Sequence, residues 1–296
     1  MSNRPIWMPD TSAINALADD PDRPLLLAGL HAGYSVRIPF TSASEIIATS
    51  SGTRRSALLE VCKTFIGRGG DCIEPQNEIL STLVKRFENS QSVGVGDVDL
   101  RMREAEQEIL RMEMFEDNEL SAQEREENRA HNQTFLDTYA SAKPAFDGLA
   151  AQHADMPKSV GELVSMLQLG GAFWALARNL YEGAATKTAT DSDIRRFYDE
   201  CEAFRTIMIA LYAVQFDRCV KPADSPSLKM GRNDTFMAIC LPYTDEFVTN
   251  DDGQLACFKE IVQVAGIDVK IRSYLEFRNQ FSVLIGSTPL AQSAAS

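Results

Sequence analysis

Short apolar runs alternate with helical patterns over residues 1–75, the rhythm of an α/β chain. Ile6–Met8 and Val36–Ile38 predict strands, and Asp71–Ile73 predicts a third. Ala13–Ala18, Pro24–Ala32, Glu45–Thr49 and Arg54–Ile66 carry helical spacing around them. The alternation returns near the C-terminus, with helix Asn233–Leu241, strand Glu246–Thr249, helix Gly253–Ala265 and strand Ile267–Ile271. The middle is helical throughout. Asp99–Glu116 and Ala122–Ala140 are charged with a thin apolar stripe, whereas Val160, Leu163, Val164 and Leu167 fall on one helical face. Ser192–Phe216 starts at a cap from Asp191 or Ser192 and turns apolar on most sides after Phe204. Loop-like Ser90–Gly96 and Lys221–Ser227 mark the junctions. The expected organisation is an α/β domain of residues 1–95 plus 225–290, a helical insertion subdomain over 97–224, and a flexible tail over 287–296. Within the insertion, the polar first half is expected to face water or a partner and the apolar second half to pack on the core.

Composition narrows this picture. A chain of 296 residues, 44% hydrophobic and 24% charged, can bury a core in one or two domains and is neither fibrous nor disordered. Acids number 42 and bases 29, which argues against a surface devoted to phosphate contacts. That excess is local: residues 97–140 hold 13 acids and 5 bases, so the α/β parts are nearly balanced. No apolar run approaches the roughly 20 residues that span a bilayer, and no apolar signal region opens the chain. Six scattered cysteines, with no CxxC and no nearby histidine, point away from zinc fingers and disulfide scaffolds and toward reduced thiols in the cytoplasm. His31, His131 and His153 share no catalytic or ligand spacing, and Trp7 and Trp174 sit among apolar neighbours as core residues do.

Four acids fall at predicted element ends. Asp10 follows the first strand and Asp251 follows the Glu246–Thr249 strand; Glu45 lies in the first turn of the helix after Val36–Ile38, and Asp234 opens the Asn233–Leu241 helix. In an open parallel sheet, ligands gather beyond the carboxyl ends of strands. Clustered carboxylates need a cation, and Mg²⁺ or Mn²⁺ accepts such oxygen ligands while retaining waters. Thr11, Ser12, Asn233 and Thr249 are placed to orient those waters, and Asp252 is a second acid beside Asp251. Each acid also reads as a helix cap or a favourable first-turn charge. Arg54, Arg55, Lys229 and Arg232 stand near the acids in sequence as candidate phosphate contacts.

The order Asp10-Thr11-Ser12-Ala13-Ile14, Ser44-Glu45-Ile46, Asn233-Asp234, Val248-Thr249-Asn250-Asp251 resembles a PIN domain. The resemblance covers about residues 1–75 and 228–272. It implies a Rossmann-like three-layer α/β/α sandwich with a short parallel sheet, here interrupted by a long all-helical insertion. It further implies an Mg²⁺- or Mn²⁺-dependent nuclease site, usually acting on RNA, with Asp10, Glu45, Asp234 and Asp251 as the acidic quartet and Thr249 as the hydroxyl residue before the last acid. Gln254-Leu255 stands where an aromatic often follows that acid. The expected function is therefore a ribonuclease on single-stranded or looped RNA. A non-catalytic PIN-like protein that binds a partner through its insertion is the alternative, and a structure-specific DNA nuclease the third reading.

Overall fold

The computed structural model describes residues 4–111, 119–152, 156–221 and 230–281. Five short strands, β1 (Ile6–Pro9), β2 (Ser35–Pro39), β3 (Asp71–Ile73), β4 (Glu246–Thr249) and β5 (Lys270–Ser273), form one sheet in the order β3-β2-β1-β4-β5. Every pairing is parallel, with Trp7 beside Val36 on one side and Met8 beside Phe247 on the other. The central strand tolerates Pro9 because it pairs over only two or three residues on each side and the proline closes it.

Alternation of side chains divides the apolar residues between two cores. Trp7, Val36, Ile38 and Val248 face α1 (Thr11–Asp19), α2 (Arg23–Gly33), α3 (Phe40–Ile47) and α4 (Gly52–Gly67), together with the C-terminal α14 (Tyr274–Gln280). Met8, Ile73, Phe247 and Ile271 face α5 (Gln76–Glu88), α11 (Glu202–Gln215) and α13 (Asp252–Ala265). Helices cover both faces of the all-parallel sheet, an arrangement compatible with a three-layer α/β/α fold.

The long helical segment is continuous with the second core. Leu163 of α8 (Val160–Gly170), Phe173 of α9 (Ala172–Glu182) and Phe197 of α10 (Asp191–Glu200) belong to the same buried cluster as Met8 and Phe247. Helix α6 (Arg103–Arg111) begins just after residues 100–102, which seal the β3 edge: Met102 N–H donates to Cys72 O at 2.7 Å and Glu74 N–H to Leu100 O at 3.0 Å. Helix α7 (Glu119–Gln152) is largely exposed, yet Tyr139 Oη donates to Leu211 O at 3.1 Å and Phe135 packs on Phe236. All six cysteines are buried thiols. Among the described residues no single helix is long and apolar enough to cross a membrane; α8 and α9 reach that length only as a pair bent by 87°.

Several boundaries differ from the sequence expectation. The Ser192–Phe216 helix breaks at Cys201, whose extended backbone (φ −106°, ψ 97°) separates α10 from α11. The start of α10 is a capping box from Thr190 and Asp193, one residue before the expected Asp191 or Ser192 cap. Asn233–Leu241 becomes α12 (Arg232–Met237) followed by a 3-10 segment, Ala238–Tyr243, that contains Pro242. The last strand lies three residues further on than Ile267–Ile271. Ile267 instead buries in the turn after α13, where Gly266 takes φ +66° and Ile267 N–H reaches back to Val262 O. Helix α3 starts at Phe40, so Glu45 sits in its second turn. The tail 287–296 and most of the Lys221–Ser227 junction lie outside the described residues.

Helix α14 is fastened to the α1–α2 turn. Arg278 Nε reaches Asp20 at 2.8 Å and Nη2 reaches Asp22 at 2.6 Å, while Tyr274 Oη donates to Asp20 Oδ2. Removing one partner of such a buried pair strands the other charge. Arg278→Gln is accordingly expected to cost about 3 kcal/mol, read as a lower urea midpoint at unchanged m-value. A shift within the error of the midpoint would show that the pair contributes nothing.

Candidate functional site

The chain runs from β1 out to β3 on one side of the sheet and returns to β4 and β5 on the other, so its direction reverses between β1 and β4. At such a switch point the loops leaving the two strands part and open a crevice. Asp10 leaves β1 and Asp251 leaves β4 there, Glu45 faces them from α3, and Asp234 comes from the first turn of α12.

Three of the four acids are held by local backbone. Asp10 caps α1, its Oδ1 accepting from Ala13 N–H at 2.7 Å. Asp251 caps α13 through Gln254 N–H at 2.8 Å. Asp234 Oδ2 accepts from Gly231 N–H at 2.9 Å. For these three the capping reading holds, and it takes up one oxygen of each acid.

The second oxygens of Asp10 and Asp234 are joined through Thr249 and Gln254, and Glu45 holds a separate set of bonds beside them. Ser12 Oγ and Thr249 Oγ1 both reach Asp10 Oδ2 at 2.8 Å, and Asn250 N–H donates to Ser12 Oγ at 2.7 Å. Glu45 accepts from Thr11 Oγ1 on one oxygen and from Asn233 Nδ2 on the other, at 2.9 Å. Asp251 N–H donates to Thr249 Oγ1 at 3.0 Å. Gln254, only 2% exposed, bridges the two halves: its Oε1 lies 2.8 Å from Thr249 Oγ1 and its Nε2 donates to Asp234 Oδ1 at 3.2 Å. All four predicted acids and Thr11, Ser12, Asn233 and Thr249 thus converge. Asp252 stays exposed at the first position of α13.

Proton accounting makes Asp10 unusual. Thr249 owns one hydroxyl proton but faces two acceptors at 2.8 Å, Asp10 Oδ2 and Gln254 Oε1. Both contacts are hydrogen bonds at once if Asp10 carries a proton and donates it to Thr249, or if the Gln254 amide is turned so that Nε2 donates to Thr249 and Asp234 carries the proton. Burial supplies the reason: Asp10 is 5% exposed, and its carboxyl is pushed up to about 6 by desolvation, opposed by its bonds to Ala13, Ser12 and Thr249, with Asp234 adding repulsion. Asp234 is likewise pushed up to about 6, again mainly by desolvation, with Glu45 and Asp251 repelling. Among the described residues no lysine or arginine is paired with either acid.

The basic candidates divide. Arg54 is spent on Asn15 and Asp19. Arg55 is fully buried, with Nη1 on Thr49 O at 2.5 Å, so the expected phosphate contact is not available there; one helical step turns it from the surface into the core. Arg232 is half-buried with its guanidinium over the Phe236 ring, 5.1 Å from the centroid, and Nη1 3.4 Å from Asn233 Oδ1. Lys229 lies outside the described residues.

Two elements had no sequence signal. Gln254 is neutral and draws no attention in a search for charge. Helix α7 supplies a wall from far along the chain: Asn132 Oδ1 accepts from Arg232 N–H at 3.0 Å, and Ser44 Oγ donates to Glu124 at 2.6 Å. A cleft of about 320 Å³ opens beside the acids, lined by Phe40, Gln76, Asn128, His131, Arg232 and Asn233 among others.

The donor set is carboxylate, hydroxyl and amide oxygen, the chemistry that suits Mg²⁺ or Mn²⁺ and not a soft metal. As arranged, no three His, Cys, Asp or Glu side chains among the described residues are grouped so as to hold an ion. Two desolvated like charges without a cation nonetheless fit a site completed by one. No protein-family model, curated protein or solved structure matches the chain.

Proposed function

We propose that the chain is a PIN-like, Mg²⁺- or Mn²⁺-dependent nuclease that hydrolyses single-stranded or looped RNA. The observation that supports it is the pair of Asp10, buried, and Asp234, half-buried, neither with a basic partner among the described residues and both beside Glu45 and Asp251 at the switch point of the sheet. Asp10 and Asp234 are the groups that would hold the ion most directly, with Glu45 and Asp251 completing the charge. A divalent ion held there supplies an acidified water and neutralises charge on the phosphoryl oxygens.

The chain's own residues prepare that chemistry. Ser12 and Thr249 fix the rotamer of Asp10, and Asn233 and Thr11 fix Glu45, so the carboxylates are oriented before a ligand arrives. Arg232, already beside Asn233, is the described cation nearest the crevice for a substrate phosphate. The adjoining cleft is polar and too confined for a duplex, which suits an unpaired strand.

A second reading, partner binding without catalysis, is favoured by α7, whose polar surface is mostly exposed over residues 123–143. Calorimetric titration with Mn²⁺ separates the two. Binding is expected for the wild-type chain and at least tenfold weaker binding for Asp234→Asn. Wild-type protein that takes up no Mn²⁺ would leave the partner-binding reading in place.

A further inference from the structure

The opposite edge of the sheet carries a second concave site with the reverse charge. A pocket of about 280 Å³ opens at the amino ends of β1 and β2, far from the acids that follow the carboxyl ends. Three basic groups from three segments line it: Arg4 ahead of β1, His31 in α2 and Arg68 after α4. Among the described residues no carboxylate lines it, although the chain as a whole carries a net charge of −13.

The three groups feel one another and nothing offsets them. Burial, then the guanidiniums of Arg68 and Arg4, hold the His31 imidazole below its ordinary value, with no acid acting against them. Arg4 Nη1 donates to His31 O at 2.6 Å, which fixes that guanidinium at the mouth, and Arg4 and Arg68 form no ion pair among the described residues. The His31 ring sits edge-on against Phe65 in the wall of the pocket, with the ring centroids 6.5 Å apart. Two acids stand behind the lining and both are engaged: Asp245 accepts from Ile6 N–H at 2.6 Å, and Glu246 accepts from Tyr34 Oη and pairs with Arg272 at 3.5 Å.

The floor is built by a turn that only glycine allows. Gly69 takes φ +88°, and a Cβ on Gly70 would stand 2.8 Å from Val36 O and 2.9 Å from Phe65 O. That close approach carries Arg68 over the start of β2, toward His31.

We propose that this pocket binds the terminal phosphate of a phosphate monoester. Two guanidiniums and an imidazole converging on one concavity match a compact dianion with three free oxygens. A backbone diester carries one charge, two free oxygens and chain on both sides, and suits a groove better than this pocket. Tyr34, half-buried in the wall, offers a ring beside the phosphate for whatever the ester carries. The site is independent of the nuclease reading, because it shares no residue with the acidic crevice.

Calorimetric titration of the full chain with inorganic phosphate, AMP and adenosine tests the assignment. Inorganic phosphate and AMP are expected to bind and adenosine is not. Arg68→Gln and Arg4→Gln are each expected to weaken phosphate binding about tenfold, the loss of one charge-assisted contact, at an unchanged thermal midpoint. His31 ring resonances should shift on phosphate addition to the wild-type chain. AMP binding tighter than inorganic phosphate assigns the ester to a nucleotide, and equal affinities assign recognition to the phosphate alone. Phosphate affinity that is absent at millimolar concentration, or unchanged in both arginine variants, overturns the proposal.

Discussion

Asp10→Asn is expected to leave the protein folded while lowering Mn²⁺-dependent RNA cleavage on the order of 10²–10³-fold, the loss that follows removal of one preorganised electrostatic group. Asparagine preserves the local structure. Its amide oxygen can accept from Ala13 N–H, so the α1 cap survives, and its NH₂ can donate to Thr249 Oγ1 in place of the shared proton. What disappears is a charge at the switch point. Thr249→Val offers a graded comparison: the charge stays, but Asp10 and the Asp251 N–H both lose the hydroxyl. A loss of roughly 10–100-fold is expected there, the scale of an outer-shell partner. Arg54→Gln should leave cleavage unchanged, since that side chain is committed to Asp19 and Asn15. The measurement is cleavage of an end-labelled single-stranded RNA, with a chelator control. Wild-type rates from Asp10→Asn would remove the acidic crevice as the source of activity.

Acidification from pH 7 toward about 5 is expected to stabilise the metal-free protein, the reverse of ordinary acid denaturation. Asp10 and Asp234 hold their protons up to about 6 in the folded state, against 3.8 unfolded, so the folded state binds more protons between those values. The contribution is full below the unfolded value and is lost as pH rises through about 6. A rise from 3.8 to about 6 sets a ceiling of about 3 kcal/mol per group. The two together give less than twice that, because relieving one charge relieves part of the other's repulsion. Glu246 and Glu74, also raised by burial, act in the same direction. His31 opposes, since its lowered value costs stability as pH falls through the unfolded imidazole range. At lower pH the Arg54-paired Asp19 and the hydrogen-bonded Asp193 and Glu88, all lowered, begin to lose their stabilisation and turn the curve down. The thermal midpoint followed between about pH 7.5 and about 4 should therefore rise and then fall. Asp10→Asn should flatten the rise, and so should added Mn²⁺. A midpoint that falls steadily from neutral pH would show the two carboxyls to be ordinary.

β1 and β4 are legible in the sequence because each is a short apolar run that must face both cores. Trp7 and Met8, or Phe247 and Val248, point to opposite sides and leave no polar alternative. The crevice is legible wherever chemistry sits at the end of such a run, as with Asp10 and Asp251. Sequence pattern places Glu45 one turn early because Phe40-Thr41-Ser42 carries no strong start signal; α3 has no side-chain cap at all. The break at Cys201 is hidden for a similar reason, since neither glycine nor proline marks it and backbone N–H groups of Cys201 and Arg205 bridge it to Phe197 and Cys201. Gln254 and Asn132 are invisible on different grounds. A neutral amide inside a helix has no pattern, and its partners are supplied by tertiary contacts that span 20 residues in one case and 100 in the other.

The order of strands has a consequence during synthesis. β1 receives β2 early but must await β4, which the ribosome reaches only after adding residues 10–245. At cellular elongation rates that interval lasts roughly 10–50 s, with the Asp10 edge of β1 open throughout. Asp10 and Glu45 are made within the first 45 residues, Asp234 and Asp251 within the last 63. The nascent chain therefore carries half of the acidic crevice while it is still attached to the translation machinery and its RNA. Completion of the crevice therefore coincides with closure of the sheet, when β4 pairs with β1.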